Sequence, residues 1–198
     1  MPSHSRLWTT LYRRGPRWTS TARRILIERS HRHCTVRFDG PVYLGPGFRL
    51  EIPDGGTFLV GPACSFRQGF VCEIVGDGRV VIGAGSTFTY GGVIQCSTSI
   101  EIGERATFGQ DVLIADGNHR FRDPAVHLLE QGYDFRPITI GRGATVMTKC
   151  TVINDLGEGC VIGANSVVTR PIPPRCLAFG APARVVEHFV APATESSG

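Results

Sequence analysis

His119 stands where a regular run of the sequence stops, at the end of Ile114-Ala115-Asp116-Gly117-Asn118-His119. A neutral imidazole can take the proton from a hydroxyl as that oxygen attacks an acyl carbon. Its unperturbed pKa of ~6.5 lies near working pH. General-base catalysis of this kind is worth roughly 10²–10⁴ in rate. Two neighbours could serve such a base. Asn118 could fix the local backbone or hold the ring, and Asp116 could orient the base or bind substrate. Asp-Gly followed by Asn is also good turn chemistry, so for Asp116 both readings stay open.

The residues before His119 say how it is positioned. Ile102, Phe108 and Ile114 fall six apart, each followed by a small residue, Gly103, Gly109 or Ala115. Four residues after each anchor come Ala106, Val112 and Asn118. An alternating strand has period two and an amphipathic helix 3.6, so a strict six fits neither alone. It fits a short strand plus a sharp corner, three such faces closing one triangular coil with the anchor and the residue four later pointing inward. Coils stacked through parallel-strand hydrogen bonds, at roughly 4.8 Å per layer, make a parallel β-helix. In that phase Asn118 points inward and His119 projects outward at the coil's edge.

The same signal is clear at Leu44-Gly45, Val60-Gly61 and Ile82-Gly83, and continues through Phe88 and Ile94. It returns at Ile140-Gly141, Val146 and Val152, then at Leu156-Gly157, Ile162-Gly163 and Val168. Two irregularities are expected. The run from Phe66 to Val81 is degenerate and reads as distorted or bulged. Val152 and Ile162 are ten apart, where two hexads need twelve, so a corner near Asn154 and Asp155 is cut short.

Composition agrees with one globular domain. The 198 residues are 41% hydrophobic, with 25 glycines and 13 prolines for tight turns. No stretch reaches the roughly 18 apolar residues of a membrane span, and no secretory signal is visible, so the expected address is the cytoplasm. Seven cysteines, an odd number without a CxxC pair, make no disulfide framework. Cys64, Cys150 and Cys160 each sit four after an aliphatic anchor and read as small core fillers.

Residues 1–34 lack the period and form a basic segment ahead of the coils, expected over 35–189, with a flexible tail at 190–198. Leu7, Trp8, Leu11 and Tyr12, then Ile25, Leu26 and Ile27, suit the apolar side of one or two short helices. Residues 1–37 carry nine arginines against Glu28. Three readings stay open: a cap on the solenoid's end, contact with anionic lipid or a membrane-bound acceptor, and an organellar presequence. Arginines without interleaved aromatics or a binding motif argue against nucleic acid.

From Val80 to Val186 the chain resembles the hexapeptide-repeat acyltransferases, especially the galactoside, maltose, nodulation-factor and polysaccharide O-acetyltransferases. The matching residues are IADGNH at 114–119, CVIGANSVVTR at 160–170, PIPP at 171–174 and GAPARVV at 180–186. The resemblance implies an all-β, left-handed parallel β-helix, a homotrimer, and acetyl-coenzyme A as donor. It implies O-acetylation of a sugar, nucleotide-sugar or glycan precursor with His119 as general base. N-acetylation of an amino-sugar or antibiotic and a non-catalytic β-helix scaffold are the alternatives. Carried over by position, Thr148, Ala164 and Thr169 would contact the donor's arm or adenine end, and Arg170 and Arg184 its phosphates. The excursion from Arg120 to Pro137 would border the acceptor pocket, with Arg120, Arg122, His127 and Tyr133 as candidate contacts and a helical turn within 126–133. No metal site is expected, since only His119 and His127 lie in or beside the coils. One departure stands out: where the family often has an aromatic before Ile-Gly, this chain has Thr145, then Val146-Met147.

Overall fold

The computed structural model describes residues 17–189. The first apolar group of the basic segment (Leu7, Trp8, Leu11, Tyr12) and the 190–198 tail lie outside them. From Thr35 the chain winds through three faces of parallel strands. The first face stacks Thr35–Phe38, Thr57–Val60, Arg79–Ile82, Ser99–Ile102 and Ile138–Ile140, and single bridges at Leu156 and Ile172 carry it on. The second runs from Tyr43–Leu44 through Ser65–Phe66, Thr87–Phe88, Thr107–Phe108, Thr145–Val146 and Val161–Ile162 to Cys176–Gly180. The third comprises Arg49–Glu51, Val71–Ile74, Val93–Cys96, Leu113–Ala115, Thr151–Val152 and Val167–Val168. An antiparallel strand, Ala183–His188, closes the second face.

The hexad anchors fill this prism. Ile82, Ile102, Phe108, Ile114, Ile140, Val146, Ile162 and Val168 are all at most 3% exposed. The slots four residues on hold Cys64, Ser86, Ala106, Val112, Ala144, Cys150, Cys160 and Ser166, likewise buried. The glycine after an anchor is demanded by the next coil. A Cβ on Gly103 would stand 2.6 Å from the amide nitrogen of Arg142.

Coils differ in length, and the difference lies at the corner between the third and first faces. Phe38 pairs with Val60 and Val60 with Ile82, a repeat of 22 residues. Ile82 pairs with Ile102 after 20, and Val146 with Ile162 after only 16. The shortest coils contract at Ile153–Asp155, where the first face shrinks to one bridge per layer. That is the cut corner expected from the spacing.

The expected distortion after Phe66 is absent. Phe66, Phe70, Cys72, Ile74 and Val80 are fully buried in regular register. The period is masked there for two reasons. Phe48 and Phe70 occupy slots that elsewhere hold small residues, and the corner 75–78 has four residues where the next coil has two. Phenylalanines replace the aliphatic filling in these coils. The rings of Phe66 and Phe88 stack at 5.3 Å, and those of Phe88 and Phe108 at 4.3 Å.

One helix, α1 (Arg17–Ser30), lies on the open edge of the first coil. The Ser20 hydroxyl accepts the Leu44 N–H (2.8 Å), and the Arg23 guanidinium donates to the Leu44 carbonyl (2.7 Å). These groups satisfy the edge of the terminal strand, which would otherwise be an unpaired template. Among the described residues no helix is long and apolar enough to cross a membrane.

Candidate active site

After Asp116 the chain leaves the prism, two residues before the inward position that the hexad phase predicts at Asn118. Asp116, 4% exposed, turns in to the corner of the coil below. Its Oδ1 accepts the Ser97 N–H (2.8 Å), while Oδ2 accepts the Thr98 N–H (2.6 Å) and the Thr98 hydroxyl (2.8 Å). The Cys96 thiol approaches the same Oδ2 at 3.5 Å. Asn118, expected inward, is exposed. The reason is a hairpin that the sequence reading did not foresee: Gly117–His119 pairs antiparallel with Tyr133–Phe135 outside the coil.

This hairpin holds the histidine. His119 faces Tyr133 across the two strands, ring centroids 4.2 Å apart, and Tyr133 stacks on Phe135 at 5.5 Å. Phe135 lies against Gly117, where a Cβ would stand 2.7 Å from its ring. The base of the excursion is tied down at both ends. Arg120 Nε bridges to Asp134 at 2.7 Å, and the Arg136 N–H donates to the Asp116 carbonyl. The Arg136 guanidinium reaches Asn154 and Asp155 on the contracted corner of the next coil. Within the excursion Leu128–Glu130 forms a 3-10 turn, inside the stretch where a helical turn is expected.

His119 is half-buried and forms a wall common to two cavities. One, of about 380 Å³, is bounded by Glu73, Gln95, Ser97, Asp116, Tyr133 and Phe135. The other, of about 710 Å³, is bounded by Arg120, Phe121, Arg122, Glu130, Gln131 and Asp134. Nδ1 of His119 is enclosed without a hydrogen-bond partner among the described residues. Among the described residues its ring meets that of Tyr133, and its strand is fixed by the hairpin ladder.

The candidates therefore sort by place. Arg120 and Arg122 line the larger cavity and Tyr133 the smaller. His127 lines neither and instead caps the 3-10 turn, its Nδ1 accepting the Leu129 N–H at 3.4 Å. Thr148 and Ala164 stack on a different edge of the prism, between the second and third faces. There the Asn165 N–H donates to the Thr148 carbonyl, and the Thr148 hydroxyl donates to the Gln110 carbonyl. Exposed Thr169 and Arg170 lie on the same edge as His119, above Asn154, whose amide donates to the Thr169 carbonyl. Arg184 is exposed on the closing antiparallel strand. Neither of the two cavities lined by His119 includes Thr148 or Ala164.

Glu73 and Gln95 were missed by the sequence reading. They stand in register one coil apart on the outer side of the third face, and the Gln95 amide donates to Glu73 at 3.3 Å. Their signal was the coil length: Glu73, Gln95 and Ala115 pair in successive layers, which leads directly to the Asp116 corner. Cys96 lines the same cavity, but burial, reinforced by the Asp116 carboxylate, pushes its thiol up to about 12. It holds no thiolate for nucleophilic work. Among the described residues no cluster of His, Cys, Asp and Glu is placed to hold a metal ion.

No protein-family model matches the chain. It is 35% identical over 158 residues to a Mycobacterium tuberculosis protein named a probable acetyltransferase, covering 75% of this chain and 50% of that protein. It is 35% identical over 97 residues to the galactoside O-acetyltransferase of Escherichia coli K12, covering 46% and 45%. The chain thus spans about half the length of these relatives. A solved galactoside acetyltransferase in complex with coenzyme A superposes with TM-score 0.53 at 20% identity, over 95% of this chain and 72% of that one. That likeness carries the fold, which is the left-handed parallel β-helix. In sequence the chain is similar to these acetyltransferases over about half their length, and in architecture it shares the fold of the hexapeptide-repeat acetyltransferases.

Proposed function

We propose that this protein is an acetyl-coenzyme A-dependent O-acetyltransferase that acts on a sugar, nucleotide-sugar or glycan precursor, with His119 as general base. The observation that carries the reading is the His119 ring itself. It projects from the hairpin outside the coil and forms a wall common to the two cavities. In the proposed step the imidazole takes the acceptor hydroxyl's proton as the oxygen bonds to the acyl carbon. The carbon–sulfur bond then breaks, and the imidazolium returns its proton to the departing thiolate. Both halves need one nitrogen within reach of oxygen and sulfur.

The smaller cavity suits a saccharide. The exposed rings of Tyr133 and Phe135 offer a surface to the apolar face of a sugar, and Glu73 with Gln95 offers acceptors and a donor for its hydroxyls. For the donor, Thr148 and Ala164 supply a small-residue edge along the prism. Arg170 and Arg184 supply guanidinium forks for phosphate. That edge and the histidine's edge are different edges of one prism, which supports a homotrimer in which neighbouring copies bring them together.

The test is thiol release from acetyl-coenzyme A by the purified chain with a panel of neutral and amino sugars, followed by product identification. Transfer to a sugar hydroxyl is expected. Transfer to an amine would replace the acceptor assignment with N-acetylation. Absence of turnover together with absence of calorimetric coenzyme A binding would leave a scaffold protein and overturn the proposal.

A further inference from the structure

We infer that the outward face of α1 is a docking surface for a membrane rich in anionic lipid. The helix has two dissimilar sides. Ser20, Arg23 and Ile27 face the first coil, where Ser20 and Arg23 bond the edge strand and Ile27 packs on the core. On the opposite side Trp18, Ala22, Ile25 and Arg29 fall along one line at helical spacing, with Leu26 beside it. Trp18 is 70% exposed and Leu26 67%. A tryptophan and a leucine this open, on a helix whose other side is already seated, are not core residues.

Charge decides the occupant. The helix sequence holds four arginines and one acid, Glu28, and Arg32 follows at once. Glu28 lies to one side of the apolar line and Arg29 at its end. Neither Arg29 nor Arg32 has a carboxylate partner among the described residues. A second copy docking through the same face would set arginine against arginine. An anionic bilayer instead complements both parts: its phosphates meet the guanidinia, and its interface accepts Trp18, Ile25 and Leu26. The position fits a plane, because α1 covers the end of the solenoid. His119 follows the strands of the fourth coil, three layers from the edge that α1 covers, or about 14 Å. Docking therefore leaves the cleft in water.

The test uses the full chain carrying Trp8→Phe, so that Trp18 is the one tryptophan. It is titrated with vesicles of phosphatidylcholine, with and without phosphatidylglycerol. Co-sedimentation and a blue shift of Trp18 emission are expected with phosphatidylglycerol only, weakening as salt is raised. Arg29→Glu with Arg32→Glu should weaken binding by about 25-fold or more, at about 1 kcal/mol per arginine near an anionic surface. Trp18→Ser with Leu26→Ser in the parent chain should abolish sedimentation, with circular dichroism and turnover unchanged. Equal binding to both vesicle types would overturn the proposal. So would Trp18 shielded from acrylamide without vesicles, which would mean that residues 1–16 or another copy cover it. Concentration-dependent self-association lost in the Trp18/Leu26 variant, without vesicle binding, would likewise overturn it in favour of a second copy.

Discussion

Replacing Asp116 separates two roles a carboxylate beside a catalytic histidine can have. In the structure its oxygens serve the corner below: the N–H groups of Ser97 and Thr98 and the Thr98 hydroxyl all end on it. Asp116→Ala removes the acceptor from two backbone donors that have no other partner among the described residues. Leaving a buried donor unmet costs about 1–3 kcal/mol. The Thr98 hydroxyl can rotate to another acceptor, so two donors set the scale, and the expected loss is about 4 kcal/mol. For a chain of this size 1 kcal/mol moves the melting temperature by about 2–4 °C, so thermal unfolding should fall by about 8–16 °C. Asp116→Asn keeps one acceptor but turns an amide N–H towards a donor, and should lose about half as much. Circular dichroism melts measure this, with turnover taken well below the transition. A variant that melts within about 2 °C of the parent while kcat collapses would refute the reasoning and make Asp116 an orienting group for the base.

Other changes probe the scaffold and the cleft. Phe88→Ala empties a slot bounded by Phe66, Phe70 and Phe108 and should cost about 3–5 kcal/mol in denaturant unfolding. Gly103→Ala drives a methyl against the backbone of Arg142 and Gly141, which has no side-chain freedom to give way. Its loss of stability should reach or exceed the roughly 1–3 kcal/mol of ordinary overpacking. Glu73→Gln should raise the acceptor's KM while leaving coenzyme A affinity unchanged, since Glu73 lines the smaller cavity away from the Thr148 edge. Equal losses for both ligands would remove Glu73 from the acceptor site.

The architecture was legible because the anchors obey one spacing. Ile102, Phe108 and Ile114 point inward as read, and the ten-residue gap before Ile162 marks the contracted corner at Asn154 and Asp155. Legibility failed where another constraint overrode the hexad. Phe70 fills a slot that a small residue usually takes, so a regular coil looked irregular. Asn118 follows the phase on paper. However, Asp116 satisfies the amides of Ser97 and Thr98 from a buried position, which turns the chain outward two residues early. The hairpin of Tyr133–Phe135 was hidden because its partner strand, Gly117–His119, was counted as coil. Glu73 lies 46 residues before His119 in sequence, and only coils of 22 and 20 residues bring it to the cavity wall.

The central claim is that the imidazole of His119 takes the proton. Single-turnover transfer of acetyl from acetyl-coenzyme A to an accepted sugar, compared between the parent chain and His119→Ala, bears on it most directly. The rate should fall by roughly 10²–10⁴, the worth of a positioned general base, with calorimetric coenzyme A affinity and the melting temperature unchanged. A variant that transfers the acetyl group as fast as the parent chain would contradict the account.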